Sequence, residues 1–150
     1  MSKEVSILNR RARADYFIDE EIEAGLILVG TEVKSLREGK ANIQDAFAGP
    51  KDGGLWLMNG YIAEYNGGNR FNHESRRPRQ LLLHKREINK LLGKVKTKGF
   101  TIIPLSLYFN SRGIAKVLLG LARGKREFEK RETIKTREWN REKERLMKNN

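Results

Sequence analysis

Apolar and polar positions alternate between residues 16 and 23, which is the pattern of a half-buried strand. One side carries Tyr16, Ile18, Glu20 and Ile22, and the other, mostly acidic, carries Phe17, Asp19, Glu21 and Glu23. Gly25 then permits a bend or a bulge. Residues 26–29 form a short apolar run that suits a buried strand.

The hydrophobic period becomes helical after Thr31. Val33 and Leu36 are three residues apart, so both can face a core. Thr31 is an acceptable N-cap, and Gly39 is a natural stop. The positions that project elsewhere carry Lys34, Arg37 and Lys40. The pattern predicts a short helix that holds cations on a rigid element, although an ordinary solvated amphipathic helix has the same pattern.

Further strand patterns follow, separated by turn sequences. Residues 43–48 and 55–58 flank a segment rich in Gly, Pro and Asp, which predicts a hairpin, and residues 61–65 predict a third short strand. The next stretch contains Arg70, His73, Arg76, Arg77 and Arg79 beside one large apolar residue, Phe71. It predicts a basic loop that cannot pack against itself, with His73 on the surface or facing RNA.

The second half of the chain predicts a helix and then a long hairpin. Apolar residues recur at a helical spacing from Leu81 to Val95, and Gly99 ends the pattern. Residues 100–109 and 114–121 are rich in β-branched and large apolar side chains, with Pro104 marking an edge or a bulge. The sum is about six short antiparallel strands with a few helices, which favours a mainly β fold built as a small closed barrel.

The net charge of the chain indicates which classes of partner it binds. A formal net charge of +12 over 150 residues is typical of a protein that binds a polyanion: RNA, DNA or anionic lipid. No apolar run approaches the roughly 20 residues that span a bilayer, and the N-terminus lacks a signal segment, so we expect a cytoplasmic protein with no membrane partner.

The chain has no Cys, and His73 and His84 alone make a poor metal site. We expect neither a metal nor a cofactor.

The N-terminal segment, residues 1–15, is cationic and has little that could be buried. Arg10, Arg11 and Arg13 stand beside Asn9. Such a segment predicts an extended arm that a partner orders.

The composition changes again at Arg123. The chain beyond it has good helix formers but few large apolar residues. A helix there would have a cationic stripe opposite a thin apolar stripe of Phe128, Trp139 and Leu146. We expect a barrel domain over residues 1–122 and a basic tail over residues 123–150 that is disordered when free and helical against a partner. A purely solubilising tail is the alternative.

Motifs of common catalytic sites are missing from the sequence. Gly124 and Lys125 suggest a phosphate loop, but Arg126 stands where Ser or Thr must bind magnesium. There is no Gly-x-Ser-x-Gly motif and no Cys nucleophile. Structural roles are favoured for Glu23, Glu32 and Asp45. The sequence therefore predicts a protein that binds structured nucleic acid and does not act as an enzyme. A nuclease or RNA-modifying enzyme, and a general single-strand binder, stay open as alternatives.

A series of segments runs in one order along nearly the whole chain: Asn9–Arg13, Glu23–Gly25, Gly30–Arg37, Gly39–Ile43, Leu81–Ile88, Leu105–Tyr108 and Gly124–Lys125. This series resembles the SsrA-binding protein family, small protein B, the bacterial partner of transfer-messenger RNA. The resemblance implies an OB-fold-like barrel that binds the tRNA-like domain of that RNA in the rescue of stalled ribosomes. It also implies that the tail enters the 16S rRNA decoding region and the empty mRNA channel as a helix, with the protein acting as a monomer.

The resemblance and the charge pattern together predict two sets of binding residues. The resemblance alone implies Asn9, Glu23, Leu82, Gly124 and Lys125. The set expected to bind RNA is Asn9, Arg10, Arg11, Arg13, Glu23, Lys34, Arg37, Lys40, Arg76, Arg79, Leu82 and Lys85. The set expected to bind the ribosome is Gly124, Lys125, Arg126, Phe128, Lys130, Arg131, Lys135, Arg137, Trp139, Arg141 and Arg145. The family often has His where this chain has Ala14 and Phe128.

Overall fold

The computed structural model of the protein describes residues 6–67 and 71–148, with the side chains of 126–135 and 148 outside the description. The strands are β1 (Ser6–Leu8), β2 (Tyr16–Leu26), β3 (Ala41–Asn42), β4 (Phe47–Lys51), β5 (Gly54–Met58), β6 (Tyr61–Ile62), β7 (Arg79–Leu82), β8 (Thr101–Phe109) and β9 (Ala115–Gly124). The helices are α1 (Ala12–Asp15), α2 (Gly30–Arg37), α3 (Lys85–Lys98) and α4 (Lys125–Lys148).

Six antiparallel strands close into a ring, which confirms the expected mainly β barrel. Their order is β8-β4-β5-β7-β2-β9, and pairing of β8 with β9 completes the circle. Strand β1 adds to the outside of β8, and β3 pairs with β6 in a separate two-stranded sheet. Closure pairs the edges of the main sheet.

The core lies inside the ring and is built by strand alternation. In β5, Leu55 and Leu57 point inward and are at most 1% exposed, while Trp56 and Met58 are only half-buried. Helix α2 contributes Leu36 to this core, and α3 contributes Leu91. Burial of each such leucine stabilises the fold by about 1.5–3 kcal/mol.

Local irregularities differ in part from the predicted ones. The bulge in β2 falls between Ile18 and Glu20, and Gly25 instead lies within regular pairing. The predicted bulge at Pro104 is confirmed, since the β8–β9 register shifts between Pro104 and Ser106. The β4–β5 turn is shorter than predicted because Asp52 and Gly53 both adopt positive φ, 48° and 75°, so the strands continue up to them.

Several predicted elements were wrong in extent. The buried strand expected at residues 26–29 is limited to Leu26, the end of β2, and Ile27 and Val29 are each 44% exposed. The strand expected at residues 43–48 begins only at Phe47. Residues 79–82 form β7, whose Leu81 pairs with Leu26 and Leu55, so the helix begins only at Lys85. Helix α2 begins at Gly30 after an N-cap at Val29, which leaves Thr31 within the first turn. The strand predicted at 61–65 is limited to Tyr61–Ile62.

The described part of the N-terminal arm, residues 6–15, is docked rather than free. Ser6–Leu8 pairs with β8, and Ala12 is buried against Ile103 and Leu105 in a second small core. At the other end of the domain, β9 continues to Gly124, past the boundary expected at residue 122. No helix in the described part of the chain is long and apolar enough to cross a membrane.

Candidate nucleic-acid interface

Helix α2 is fixed to the barrel through a buried carboxylate. Glu32 is fully buried and accepts hydrogen bonds from the Val29 N–H at 2.9 Å, Arg77 Nη2 at 2.6 Å and Arg79 Nε at 2.5 Å. Burial on its own raises the pKa of Glu32, but these donors outweigh it, so the pKa lies below its ordinary value. The carboxylate is therefore charged where it meets the guanidinium groups.

Arg79 belongs to this buried network, so its prediction as an RNA contact was wrong. Its side chain is 1% exposed, and its remaining nitrogens donate to Gly60 O at 2.7 Å and Ser75 O at 3.1 Å. Burial lowers the pKa of Arg79 from its usual value, and Glu32 opposes that effect. The Arg79 side chain is therefore bonded within the protein and is not accessible to RNA.

His73 provides a second fastening, and its prediction as a surface group was also wrong. His73 is 6% exposed, and its Nε2 lies 2.9 Å from Ile62 O. Because a carbonyl only accepts, Nε2 donates to Ile62 O, and Nδ1 shares a hydrogen bond of 2.9 Å with the Thr31 hydroxyl. Ser35 Oγ donates to Ala63 O at 2.5 Å. Helix α2 is thus tied to the segment after β6 at several points.

The cations on α2 and just after it are exposed, as predicted. Lys34, Arg37 and Lys40 are all exposed. The Arg37 guanidinium lies 4.4 Å from the centroid of the buried Phe109 ring, and Lys40 Nζ lies 3.2 Å from Glu38 Oε2. Arg37 is therefore both a surface cation and a packing residue.

A second basic corner forms where the N-terminal segment meets the base of the tail. Asn9 secures this corner, since its Nδ2 donates to Pro104 O at 2.9 Å and its N–H donates to Leu105 O. Arg10, Arg11 and Arg13 are exposed around it. Lys125 Nζ donates to Arg13 O at 2.9 Å, which joins the start of α4 to α1.

Part of the charge at this corner is already compensated. Arg11 Nε lies 3.3 Å from Asp15 Oδ2, and Arg13 Nη2 lies 2.5 Å from Glu21 Oε1. Both pairs are exposed, and pairs of this kind contribute about 0–1 kcal/mol, so a phosphate can compete for either arginine.

Glu23 and Leu82 lie in one cleft with His84, Glu87 and Lys116. The Tyr108 hydroxyl donates to Glu23 Oε2, and the pKa of Tyr108 is raised by burial and then by that carboxylate. A Cβ on Gly25 would lie 3.1 Å from Leu82 Cβ, so the glycine permits close approach of β2 and β7. Glu23 and Leu82 are thus both held in place by the barrel.

The remaining predicted RNA contacts lie at separate positions. Arg76 is exposed and donates through Nη1 to Asn59 O at 3.2 Å and to Asn59 Oδ1 at 3.1 Å. Lys85 is exposed at the first position of α3. Their roles as RNA contacts stay predictions.

Helix α4 carries the predicted ribosome-binding set except Gly124, which is the last residue of β9. The side chains of Arg126, Phe128, Lys130, Arg131 and Lys135 lie outside the described residues. Arg137, Arg141 and Arg145 are exposed, and Trp139 is 58% exposed with Lys143 Nζ 5.5 Å from its ring centroid. Gly124 closes β9 immediately before Lys125.

Comparison with known proteins then decides the family. The family described as SmpB protein matches residues 6–149. The SsrA-binding protein of Wolbachia pipientis subsp. Culex pipiens (strain wPip) is 58% identical over 147 residues, which cover 98% of this chain and 99% of that protein. The chain belongs to the SmpB protein family. The SsrA-binding protein of Paramagnetospirillum magneticum (strain ATCC 700264 / AMB-1) is 59% identical over 144 residues, 96% of this chain and 94% of that protein.

A solved structure has the same fold as this SmpB family member. It is described as "tmRNA-SmpB: a journey to the center of the bacterial ribosome" and aligns with a TM-score of 0.68 at 59% identity. The alignment covers 80% of this chain and 84% of that chain.

Sequence reasoning missed two tyrosines that lie beside predicted RNA contacts. Tyr61 and Tyr65 stand beside Arg76 and Lys34, with ring centroids 5.6 and 5.4 Å from the cationic groups. In the sequence they stand at the two ends of the stretch 61–65, which predicted an ordinary short strand. Among the described residues, no group of three or more His, Asp or Glu could hold a metal ion.

Proposed function

We propose that this protein binds the tRNA-like domain of transfer-messenger RNA and delivers it to stalled ribosomes for trans-translation. The barrel binds the RNA, and the tail enters the decoding site and the mRNA channel. The observation that carries the proposal is membership of the SmpB protein family over residues 6–149, together with the solved tmRNA-SmpB structure at 59% identity.

The geometry supports this function in two ways. The net charge of +12 suits a phosphate-rich partner. The cations of α2 project from a helix fastened by Glu32, Thr31 and Ser35, so RNA binding does not have to order the helix that carries them. Positioning by fixed cations favours an RNA of defined shape over a flexible strand.

The protein acts on its partners by binding, with no catalysis or cofactor of its own. In this proposal the chemistry of rescue stays with the RNA and the ribosome, and the protein works as a monomer in the cytoplasm, where ribosomes translate.

Two measurements test the function. The first titrates the protein against the tRNA-like domain of transfer-messenger RNA and against a single strand of equal length. We expect markedly tighter binding of the structured RNA, and equal affinity would favour the general single-strand binder instead. The second follows tag addition in a reconstituted translation system stalled on an mRNA without a stop codon. We expect tagging only when both the RNA and the protein are present, and tagging without the protein would refute the proposal.

A further inference from the structure

Two tyrosine rings lie beside cations on the surface formed by β3, β6 and the segment after β6. The Arg76 guanidinium is 5.6 Å from the centroid of the Tyr61 ring, and Lys34 Nζ is 5.4 Å from that of Tyr65. Tyr61 is 36% exposed and Tyr65 is half-buried, and neither belongs to the hydrophobic core. Core packing therefore does not account for the two rings.

Backbone contacts join the two pairs into one surface. Ala63, between the tyrosines, donates its N–H to Lys40 O at 2.9 Å and accepts from Ser35 Oγ at 2.5 Å. The segment from Tyr61 to Tyr65 therefore runs alongside α2. The tyrosine–cation surface, defined as Tyr61, Tyr65, Lys34 and Arg76, adjoins the predicted phosphate contact Lys40.

Arg76 is held in place by an unusual turn. Its Nη1 bonds to both the backbone and the side-chain oxygen of Asn59, which adopts a φ of 57° in the left-handed region. That conformation is costly for most residues with a Cβ, and Asn tolerates it better than most. The Asn59 side chain also donates to Asp45 O at 3.2 Å. The guanidinium beside Tyr61 is thus pre-positioned by the protein.

We propose that the tyrosine–cation surface binds unpaired nucleotides of the RNA, with the rings stacking on bases and the cations contacting the flanking phosphates. The occupant must be unpaired because bases inside a duplex are already stacked on both faces and do not reach an aromatic side chain. Aromatic rings interleaved with cations are the arrangement that unpaired nucleic acid requires. Lys34 is exposed on a flexible stem, so its ammonium group can move from the Tyr65 ring to a phosphate. The inference rests on the proposed function and adds the chemistry of recognition to it.

The test replaces the rings while keeping apolar side chains. Tyr61→Leu and Tyr65→Leu, singly and together, are titrated against the tRNA-like RNA and against a perfect RNA duplex of equal length at several salt concentrations. Each Leu variant should lose about tenfold in affinity for the tRNA-like RNA, with unchanged duplex affinity and unchanged salt slope. Tyr61→Phe and Tyr65→Phe keep the ring and should bind as the native protein does.

Trp56→Leu is the matched control, because the Trp56 ring lies 4.8 Å from Lys51 Nζ on a different strand pair, β4–β5. It should leave both affinities unchanged. Ultraviolet crosslinking of the unmodified protein to the tRNA-like RNA gives a readout that does not depend on how a variant folds, and we expect crosslinked peptides that contain Tyr61 or Tyr65.

Native affinity in the Leu variants, an equal loss for the duplex, or crosslinks only at other residues would each overturn this inference. The proposed function fails differently. If the unmodified protein does not prefer the tRNA-like RNA, that function is wrong and the inference falls with it. If the preference holds and the tyrosine variants keep it, only the inference is wrong.

Discussion

Glu32 and Arg79 form a fully buried ion pair that joins α2 to β7, with Arg79 Nε 2.5 Å from Glu32 Oε2 and neither side chain more than 1% exposed. The pair links an element that carries surface cations to a strand of the closed ring. Breaking a buried pair leaves one charge without compensation, which costs more than the pair itself contributes.

We therefore expect Glu32→Gln to lower the free energy of unfolding by about 3–5 kcal/mol. Urea unfolding followed by circular dichroism measures this change. Glu38→Gln is the control, since its exposed pair with Lys40 is 3.2 Å long and 47–48% exposed, and it should change stability by less than about 1 kcal/mol. Equal stability of the Glu32 variant and the native protein would mean that the amide replaces the carboxylate without cost.

The same carboxylate predicts a pH dependence. Burial raises the pKa of Glu32, but hydrogen bonds from Arg77, the Val29 N–H and Arg79 lower it by more, so the folded-state pKa is below the ordinary 4.5. A depressed carboxylate pKa contributes stability above the unfolded-state value, and that stability is lost as the pH falls towards the folded-state value. Urea unfolding between about pH 6 and about pH 3 should show a steeper loss in the native protein than in Glu32→Gln. Parallel curves would assign the acid sensitivity to other groups.

A surface prediction concerns Lys40. Lys40→Gln should weaken binding of the tRNA-like RNA and reduce the slope of log affinity against log salt by about one unit, because one phosphate contact is lost. The melting temperature should hardly change, since the pair with Glu38 is exposed. An unaltered slope and affinity would return Lys40 to an ordinary solvated face. Arg37 is the less suitable test, because replacing it also removes the packing on Phe109.

The sequence predicted those parts of the fold that local pattern decides. Strand alternation and turn residues located β2, β8 and β9. The run Leu81–Leu83 was predicted as helix because it continues directly into the apolar pattern of α3. The strand that ends at Leu82 depends instead on the pairing of Leu81 with Leu26 and Leu55. Such pairing is decided by distant residues and leaves no local signal.

The sequence predicted the position of a candidate-site cation correctly only where no distant partner buries that cation. Lys34 and Lys40 are exposed cations, as helical spacing predicted. Arg79 is also a cation and lies in a basic stretch, yet it is buried with Glu32, which is 47 residues away in the sequence. His73 likewise contacts Thr31 across 42 residues. Neither partnership is visible in spacing, so a buried arginine and a buried histidine were both placed at the surface.

The last prediction concerns α4. Every described side chain from 136 to 147 is exposed, including Trp139 at 58% and Leu146 at 68%. A helical segment that is exposed on every side is marginal in water, so we expect the tail to be largely disordered in the free protein and helical only against RNA in the ribosome.

Truncation separates the two activities, and the structure fixes where to cut. A cut after Gly120 would remove Ala122, which is fully buried, whereas a cut after Lys125 keeps β9 and the contact from Lys125 to Arg13 O. The chain cut after Lys125 should bind the tRNA-like RNA as the full chain does and should fail to support tagging. Trp139→Ala should reduce tagging more mildly, because it removes an aromatic anchor and keeps the cations. Circular dichroism of the two free proteins decides the disorder: if truncation removes a helical signal that corresponds to the part of α4 beyond Lys125, the tail is already folded before it meets its partner.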